Sequence, residues 1–284
     1  MQPAEPLIPL SERLTRDLAA GALDVPVLPQ VAGDVLSLCV DQDGSVGALA
    51  QLIERDQALA GNLLRIANSP AYRGAVEVVA LHQALTRLGL AAIRDITLSI
   101  TMQGLSAPLV DLHALAQRFW QRSLGTALWA REVARHRRRN VEDAYLCGLL
   151  HNVGATVVLR WLAEQPDPVA EEDAERLALE HAHVAGICLA DAWDLPPVVV
   201  LAICHAHPDA VPEALAEDPR AEGLQGIIEL SHAFLASASQ PEESRVEWLS
   251  AQAPAQRLNL YPDDLGMLLL NAEMIATQLQ FMAD

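Results

Sequence analysis

The residues best suited to chemistry are His151 and Asn152, which lie inside the apolar stretch Val141 to Leu162. A histidine in such a dry setting needs a polar partner, because burying an unpaired polar group costs free energy. A histidine followed by aspartate is a metal-ligand doublet, but an amide stands here in place of the carboxylate. Because a neutral carbonyl oxygen holds a divalent ion less well than a carboxylate does, the pair predicts a buried histidine with a weakened capacity for metal.

Four further histidines occur as two pairs with equal spacing: His181 with His183, and His205 with His207. Two residues correspond to about 200° around a helix, so at most one member of each pair faces a given pocket. A site made of His151, one member of each pair and His232 is conceivable and would suit zinc or nickel better than magnesium. The interpretation we favour is that these are core or surface histidines bonded to backbone carbonyls or to Glu180.

The elements that must position these residues are predicted to be helices throughout. Apolar positions follow helical spacing almost everywhere, and no strand pattern occurs. The 284 residues, 51% hydrophobic and 4% aromatic, predict an all-α protein: an irregular array of about a dozen helices. We expect one helix over 141–163, a long helix over 112–138, and others over 197–207 and 262–282. The stretch Asp24-Val-Pro-Val-Leu-Pro29 ends a leading helical segment, and Pro108 marks a second break near residue 110. These breaks predict three parts: a leading helical segment 1–23, a subdomain 24–110 and a subdomain 111–284.

The charge of the chain is strongly acidic, with a formal net charge of −18. All 19 basic residues are arginines. Because a chain with this negative charge repels polyanions, neither nucleic acid nor an anionic membrane is expected as a partner. Residues 116–140 nevertheless contain seven arginines and one glutamate, ending in Arg135-His-Arg-Arg-Arg139. We favour a helix C-terminus whose arginines complement the dipole and pair with acidic neighbours. An anion-binding patch is the alternative.

The cysteines and the N-terminus bear on the cellular compartment. The four cysteines lack CxxC spacing and read as small buried hydrophobes: Cys39, Cys147, Cys188 and Cys204. The N-terminus has no basic segment of the kind that begins a signal peptide, and no stretch approaches 18 uninterrupted apolar residues. These features predict a cytoplasmic protein.

Several blocks of sequence together resemble one known family. They are VPVLPQVAGDVLSL (25–38), SVGALAQLIERDQALAGNLLRIANSPAY (45–72), ALTRLGLAAIRDI (84–96), FWQRSLGTALWAREVA (119–134), CGLLHNVG (147–154) and EHAHVAGICLADAWDLPPVVVLAICHAH (180–207). In this order they resemble the HDOD (HD-related output) domain, a bacterial signalling module. That domain is related to the HD superfamily of metal-dependent phosphohydrolases, which includes the HD-GYP cyclic-di-GMP phosphodiesterases. The resemblance runs from about residue 24 to at least 240.

The resemblance implies an N-terminal helical bundle packed on an HD-like helical half. It also implies a regulatory or scaffolding role, since no biochemical activity is generally established for the family. The most specific N-terminal motif comprises Asn68, Ser69, Pro70 and Tyr72. We expect Asn68 to end its helix by adopting a left-handed backbone or by bonding to a turn. Partner binding by this motif is the alternative.

By position, the resemblance implies a degenerate HD metal site at Arg122, His151, Asn152 and His232. The guanidinium of Arg122 cannot ligate a metal, and neither carboxylate of the HD set is kept. Arg122 is predicted to be a plug that pairs with an acid such as Glu142, Asp143 or Glu180. The alternative is that it attracts a phosphate or carboxylate ligand. Burial and a nearby cation should keep His151 uncharged at physiological pH.

Three functional hypotheses follow. The favoured one is a non-catalytic bacterial signal-transduction module, without metal or cofactor, that binds other signalling proteins supplied in trans. The second is a residual metal-dependent phosphohydrolase, acting on cyclic dinucleotides or nucleotides, with a divalent transition metal at His151 and neighbouring histidines. The third is a nucleotide sensor in which Arg122 and the arginines of 131–139 hold a phosphate-containing ligand.

Overall fold

The structure, a computed structural model, describes residues 9–40, 46–72, 74, 76–106, 109, 111–215 and 217–283. These residues form helices and no strand, so the all-α prediction is confirmed. The first helices are α1 Leu10–Ala19, α2 Gln30–Val40, α3 Val46–Ile53, α4 Gln57–Ala67 and α5 Leu81–Ser106. Then come α6 His113–His136, α7 Val141–Leu150, α8 Val153–Ala163, α9 Glu171–Ala192 and α10 Pro197–Ile203. The last are α11 Ala221–Ser237, α12 Arg245–Ser250, α13 Ala253–Arg257, α14 Pro262–Leu269 and α15 Ala272–Ala283.

The predicted helix over 141–163 is wrong, because the segment is two helices, α7 and α8. Asn152 leaves the helical conformation, with φ −119° and ψ 21°, and becomes the N-cap residue of α8. The ring Nδ1 of His151 lies 2.8 Å from the carbonyl oxygen of Gly148, which would be the helical acceptor for the N–H of Asn152. A side chain that competes for a backbone acceptor in this way favours a helix end. The break places His151 at a junction instead of inside a helix.

Other predicted helix boundaries need smaller corrections. The helix expected over 197–207 ends at Ile203, and the one expected over 262–282 is divided into α14 and α15. The short helix α13 was not predicted. The expected boundary at Pro108, close to residue 110, lies outside the described residues.

Two glycines set how closely the helices around His151 approach one another. A Cβ on Gly148 of α7 would lie 2.7 Å from the Cα of Ala127 on α6. A Cβ on Gly154 of α8 would overlap the carbonyl oxygen of Ala182 on α9. Only glycine permits these two approaches, and together they determine where the junction between α7 and α8 lies.

One hydrophobic cluster of buried residues extends from Leu14 of α1 to Met282 of α15. Polar contacts join distant parts of the chain around it. The indole N–H of Trp161 donates to Asp17 at 3.0 Å, and that of Trp193 donates to the carbonyl of Pro26 at 2.7 Å. The leading segment is thereby attached to α8, and the residues just after it are attached to the end of α9. The predicted division at 24–110 and 111–284 stays a prediction.

One stretch, Val141–Ala163, is long and apolar enough to cross a membrane by length and composition. It comprises α7 and α8, and 72% of its most apolar window is buried inside the fold. Burial of this kind is typical of the core segment of a soluble protein.

Candidate functional site

Three imidazole rings, from His151, His205 and His232, come together and are called the histidine cluster here. His151 follows the last residue of α7, His205 lies two residues after α10, and His232 lies on α11. The ring centroid of His151 is 4.8 Å from that of His232 and 5.3 Å from that of His205. The Nε2 atoms of His151 and His232 are 3.0 Å apart. At most one of His205 and His207 was expected to face the same pocket as His151, and it is His205 that does so.

The hydrogen bonds of the cluster define which nitrogens carry protons. The Nδ1 of His151 lies 2.8 Å from the carbonyl of Gly148, and the Nδ1 of His205 lies 2.9 Å from the carbonyl of Ala202. Because a carbonyl can only accept, each Nδ1 must donate, and in a neutral ring the Nε2 is then an acceptor. The short contact between rings therefore requires that the Nε2–H of His232 donates to the Nε2 of His151.

The electrostatics keep all three rings uncharged. Burial is the largest cause that lowers the pKa of His151 well below its ordinary value, followed by the neighbouring rings of His232 and His205. Burial also lowers the pKa of His205, and it lowers the pKa of His232 to about 3 with help from His205 and Arg122. A charged ring here would lose its hydration and face two further rings and a cation.

The other histidine pair does not join this cluster. His183 instead stacks on His207, with ring centroids 4.0 Å apart and an angle of 23° between the ring planes. The Nε2 of His181 and the Nδ1 of His183 are buried without a hydrogen-bond partner among the described residues. The sequence interpretation that these histidines bond to backbone carbonyls therefore holds for His205. It does not hold for the Nε2 of His181 or the Nδ1 of His183.

Arg122 is not the predicted plug. Its side chain is exposed, and it forms no ion pair with a described residue. Glu142 pairs with Arg94 at 2.8 Å, and Glu180 lies 3.5 Å from Arg176. Arg122 and His232 line a shallow pocket of about 360 Å³ at the surface of the cluster. The guanidinium stays in water because α6 presents position 122 outward.

Asn68 has a structural role. It is the C-cap residue of α4 with φ −97°, so the expected left-handed backbone is wrong. Its amide forms two hydrogen bonds with the backbone of Val78, at 2.8 and 2.9 Å, so it bonds to an irregular segment before α5 and not to a turn. Of the other motif residues, Ser69 is buried, Pro70 is exposed and Tyr72 is half-buried.

Sequence reasoning missed a buried polar network next to α7. The hydroxyls of Tyr145 and Ser99 lie 2.9 Å apart, and the guanidinium of Arg131 lies over the Tyr145 ring, 5.5 Å from its centroid. Burial raises the pKa of nearby Asp95 to about 6 although Arg94 pairs with it at 3.2 Å. The available signal was an aspartate next to an arginine in the part of α5 that also carries the apolar residues Ile93 and Ile96.

The histidine cluster is a poor match for the divalent-metal centre of the HD superfamily. Its three donors are neutral imidazoles without a carboxylate, and the Nε2 of His232 carries the proton that binds His151. His232 would have to move that proton to Nδ1 before its Nε2, the nitrogen that faces His151, could ligate a metal ion. Among the described residues, no group of three or more His, Cys, Asp or Glu is arranged to hold a metal ion.

The fold is similar to that of several proteins of known structure. A candidate metal-dependent phosphohydrolase from Shewanella amazonensis SB2B matches with a TM-score of 0.71 and 22% identity over 96% of each chain. An HDOD domain protein of unknown function from Geobacter sulfurreducens matches with a TM-score of 0.66 and 20% identity, over 96% of this chain and 98% of that one. A candidate signal-transduction protein from Marinobacter aquaeolei VT8 gives 0.62 and 17%, over 96% of this chain and 65% of that one.

An uncharacterized protein of Treponema pallidum (strain Nichols) is 26% identical over 208 residues, which are 69% of this chain and 40% of that protein. This chain therefore matches less than half the length of that relative. The fold is that of the HD-like helical proteins. The family model of the HDOD domain matches residues 25–208, and the chain belongs to the HDOD family.

Proposed function

We propose that this chain is a non-catalytic signal-transduction module that acts by binding other proteins. The observation that carries the proposal is the hydrogen bond between the Nε2 atoms of His151 and His232, 3.0 Å apart. This hydrogen bond occupies the two ring nitrogens that would otherwise be available to a metal ion, and the cluster contains no carboxylate. The fold similarity to a candidate signal-transduction protein supports the same class of function.

The proposal places the protein in the cytoplasm, without nucleic acid or a membrane as partner. Cys147, Cys188 and Cys204 are free thiols, which suits a reducing compartment. The net charge of −18 opposes binding to polyanions over most of the surface. Partner proteins would be supplied in trans.

Metal content and turnover test the proposal directly. We expect elemental analysis of the purified protein to find less than about a tenth of an equivalent of transition metal, because the cluster provides only neutral donors. We also expect no hydrolysis of cyclic dinucleotides with manganese, iron or nickel added. Stoichiometric metal, or turnover abolished by both a chelator and His151→Ala, would contradict the non-catalytic assignment.

A gain-of-metal variant serves as the control. The combined change Arg122→His, Asn152→Asp and His232→Asp restores the ligand types of an HD set at the positions matched by resemblance. We expect this variant to bind close to one equivalent of manganese or iron while the parent binds none. Failure of a folded variant to gain metal would contradict the assignment of these positions to a degenerate HD site.

Protein binding requires its own measurement. We expect the tagged protein to capture a defined partner from an extract of its native cell, and the purified pair to form a complex at micromolar concentration. An Asn68→Ala variant tests the alternative role of the motif. Unchanged partner binding is expected, since the amide is already engaged by Val78.

A residual metal-dependent hydrolase is the second candidate function. His151 and His205 both donate Nδ1–H to backbone carbonyls and leave Nε2 as acceptor, which is the tautomer that metal-bound histidines adopt. This observation favours at most a two-histidine site. The measurements of metal content and turnover distinguish it from the non-catalytic module.

A further inference from the structure

A cavity of about 500 Å³ lies away from the histidine cluster, where the end of α6 and the start of α7 meet α11 and α13. We call it the arginine cavity because four arginines line it: Arg137, Arg139, Arg220 and Arg257. Neither Arg122 nor Arg131 belongs to it. The nucleotide-sensor hypothesis, which combined Arg122 with residues 131–139, therefore does not describe one site.

The backbone at the end of α6 decides which arginines enter the cavity. Arg138 adopts φ 52°, and the N–H of Arg139 donates to the carbonyl of Ala134 at 2.8 Å. This hydrogen bond and that from Arg138 to the carbonyl of Arg135, 3.1 Å, form a Schellman motif. The turn leaves Arg137 and Arg139 in the cavity wall and Arg138 outside it. A left-handed backbone is costly for a residue other than glycine.

Two of the four arginines are already paired with acids. Arg220 pairs with Asp218 at 2.7 Å, and Arg257 pairs with Glu229. Asp143 also lines the cavity, and its charge interacts with Arg220. These pairs leave little free positive charge on the side of the cavity formed by α11 and α13.

The other two arginines supply the free charge. Arg137 is half-buried and Arg139 is exposed, and neither side chain forms a hydrogen bond or ion pair with a described residue. The charge of Asp264 interacts with Arg137, but its carboxylate is hydrogen-bonded to His136 at 2.9 Å. The chain has 37 acids for 19 arginines. Arg137 and Arg139 therefore place two positive charges without an ion-pair partner among the described residues at one concave site.

Most of the rest of the wall is apolar, and Asn140 and Asn259 add two amides to it. Val198, Leu224 and Ile227 are buried core residues that also line the cavity. Gly223, in the first turn of α11, lines it too, and a Cβ there would meet nothing within 4 Å. N–H groups in a first helical turn lack intrahelical acceptors and favour anions. The volume lies within the range of about 300–1,000 Å³ typical of small-ligand pockets.

We propose that the arginine cavity binds a small organic phosphate of the nucleoside monophosphate class. The guanidinium groups of Arg137 and Arg139 hold the phosphate, since a planar fork of donors matches its oxygens. The apolar wall contacts the organic group. The site is separate from the histidine cluster, so it does not depend on whether the cluster holds a metal.

Calorimetric titration of the full chain with 5′-AMP and 5′-GMP tests the proposal, with adenosine, guanosine and inorganic phosphate as comparison probes. We expect saturable one-to-one binding of at least one nucleotide below about 1 mM, and at least tenfold weaker binding of the nucleosides and of phosphate. Arg139→Gln and Arg137→Gln should each weaken nucleotide binding about tenfold, as loss of a charged hydrogen bond does.

Arg138→Gln is the matched control, because it removes the same charge from the adjacent residue outside the cavity. We expect it to leave nucleotide affinity within about twofold of the parent, with unchanged far-ultraviolet circular dichroism for all variants. Equal losses for Arg138→Gln and Arg139→Gln would overturn the proposal in favour of a general charge effect. No saturable nucleotide binding at 1 mM, or phosphate alone binding as tightly as the nucleotides, would also overturn it.

Discussion

At the scale of single residues, the histidine cluster is a set of bases that the fold keeps neutral. The pKa values of His151, His205 and His232 are all lowered, first by burial. An unfolded histidine titrates near 6.5, so below that pH the unfolded chain binds protons that the folded protein does not. Stability rises with pH wherever the unfolded state binds more protons. The cluster therefore destabilises the folded protein as the pH falls below about 6.5.

The change His232→Gln tests this linkage while keeping an N–H donor next to His151. We expect the loss of stability between pH 6 and pH 4 to become shallower by up to about 1.4 kcal/mol per pH unit, because one fewer group gains a proton on unfolding. Urea denaturation across this pH range measures the slope.

The same substitution at the exposed residue His113, outside the cluster, is the control and should leave the slope unchanged. Asp95 changes stability in the opposite direction. Its pKa in the folded protein is raised to about 6, so its protonation favours the folded protein as the pH falls. This contribution is the same in the parent and in both variants. A parent and a His232→Gln variant with equal slopes would contradict the assignment of a lowered pKa to His232.

At the scale of elements, the junction between α7 and α8 depends on close helix packing. Gly148 allows α7 to lie against α6, and Gly154 allows α8 to lie against α9. Because these approaches involve backbone atoms, side-chain rotation cannot relieve an added methyl group. The position of His151 therefore follows from two helix contacts on either side of it.

The change Gly154→Ala should cost about 3 kcal/mol or more of unfolding free energy, since overpacking against backbone is among the most destabilising of single changes. Gly61→Ala on α4 is the matched control, because a Cβ there meets nothing within 4 Å. The control should be stabilising by about 0.5–1 kcal/mol, as alanine favours a helix interior over glycine. Denaturant unfolding measures both changes, and equal effects at the two positions would refute the packing account.

At the scale of the whole molecule, the continuous core makes the two predicted subdomains interdependent. Asp17 of the leading segment contacts α8, and Pro26, just after that segment, contacts the end of α9. At the other end of the chain, the guanidinium of Arg65 on α4 donates to the carbonyl of Phe281 on α15, at 2.7 Å. Buried apolar residues of both halves also belong to one hydrophobic cluster.

We expect the full chain to unfold in one cooperative transition, because these contacts link both halves to one core. Scanning calorimetry with equal calorimetric and van't Hoff enthalpies is the measurement. A fragment of residues 111–284 should lack a cooperative transition, since it would expose the surfaces covered by α1, α4 and α5. Two separate transitions in the full chain would show that the halves fold independently.

Local sequence signals were sufficient for the helical class and for several helix ends. Asp56, a residue type that favours the N-cap position, caps α4, with its carboxylate accepting from the N–H of Leu59 at 3.0 Å. Gly89 interrupts α5 with φ 76°, a backbone conformation that favours glycine. Both features depend on neighbours within a few residues, so the order of amino acids along the chain is enough to reveal them.

The sequence by itself determined the all-helical fold, the family and the presence of an imidazole next to an amide at positions 151 and 152. Tertiary structure alone decided that His205 joins His151 and His232 while His207 stacks on His183, and that Arg122 remains in solvent. It also brought arginines from three separate segments to one cavity. The physical reason is that helix periodicity defines which side chains share a face, whereas contacts between faces depend on how closely the helices pack.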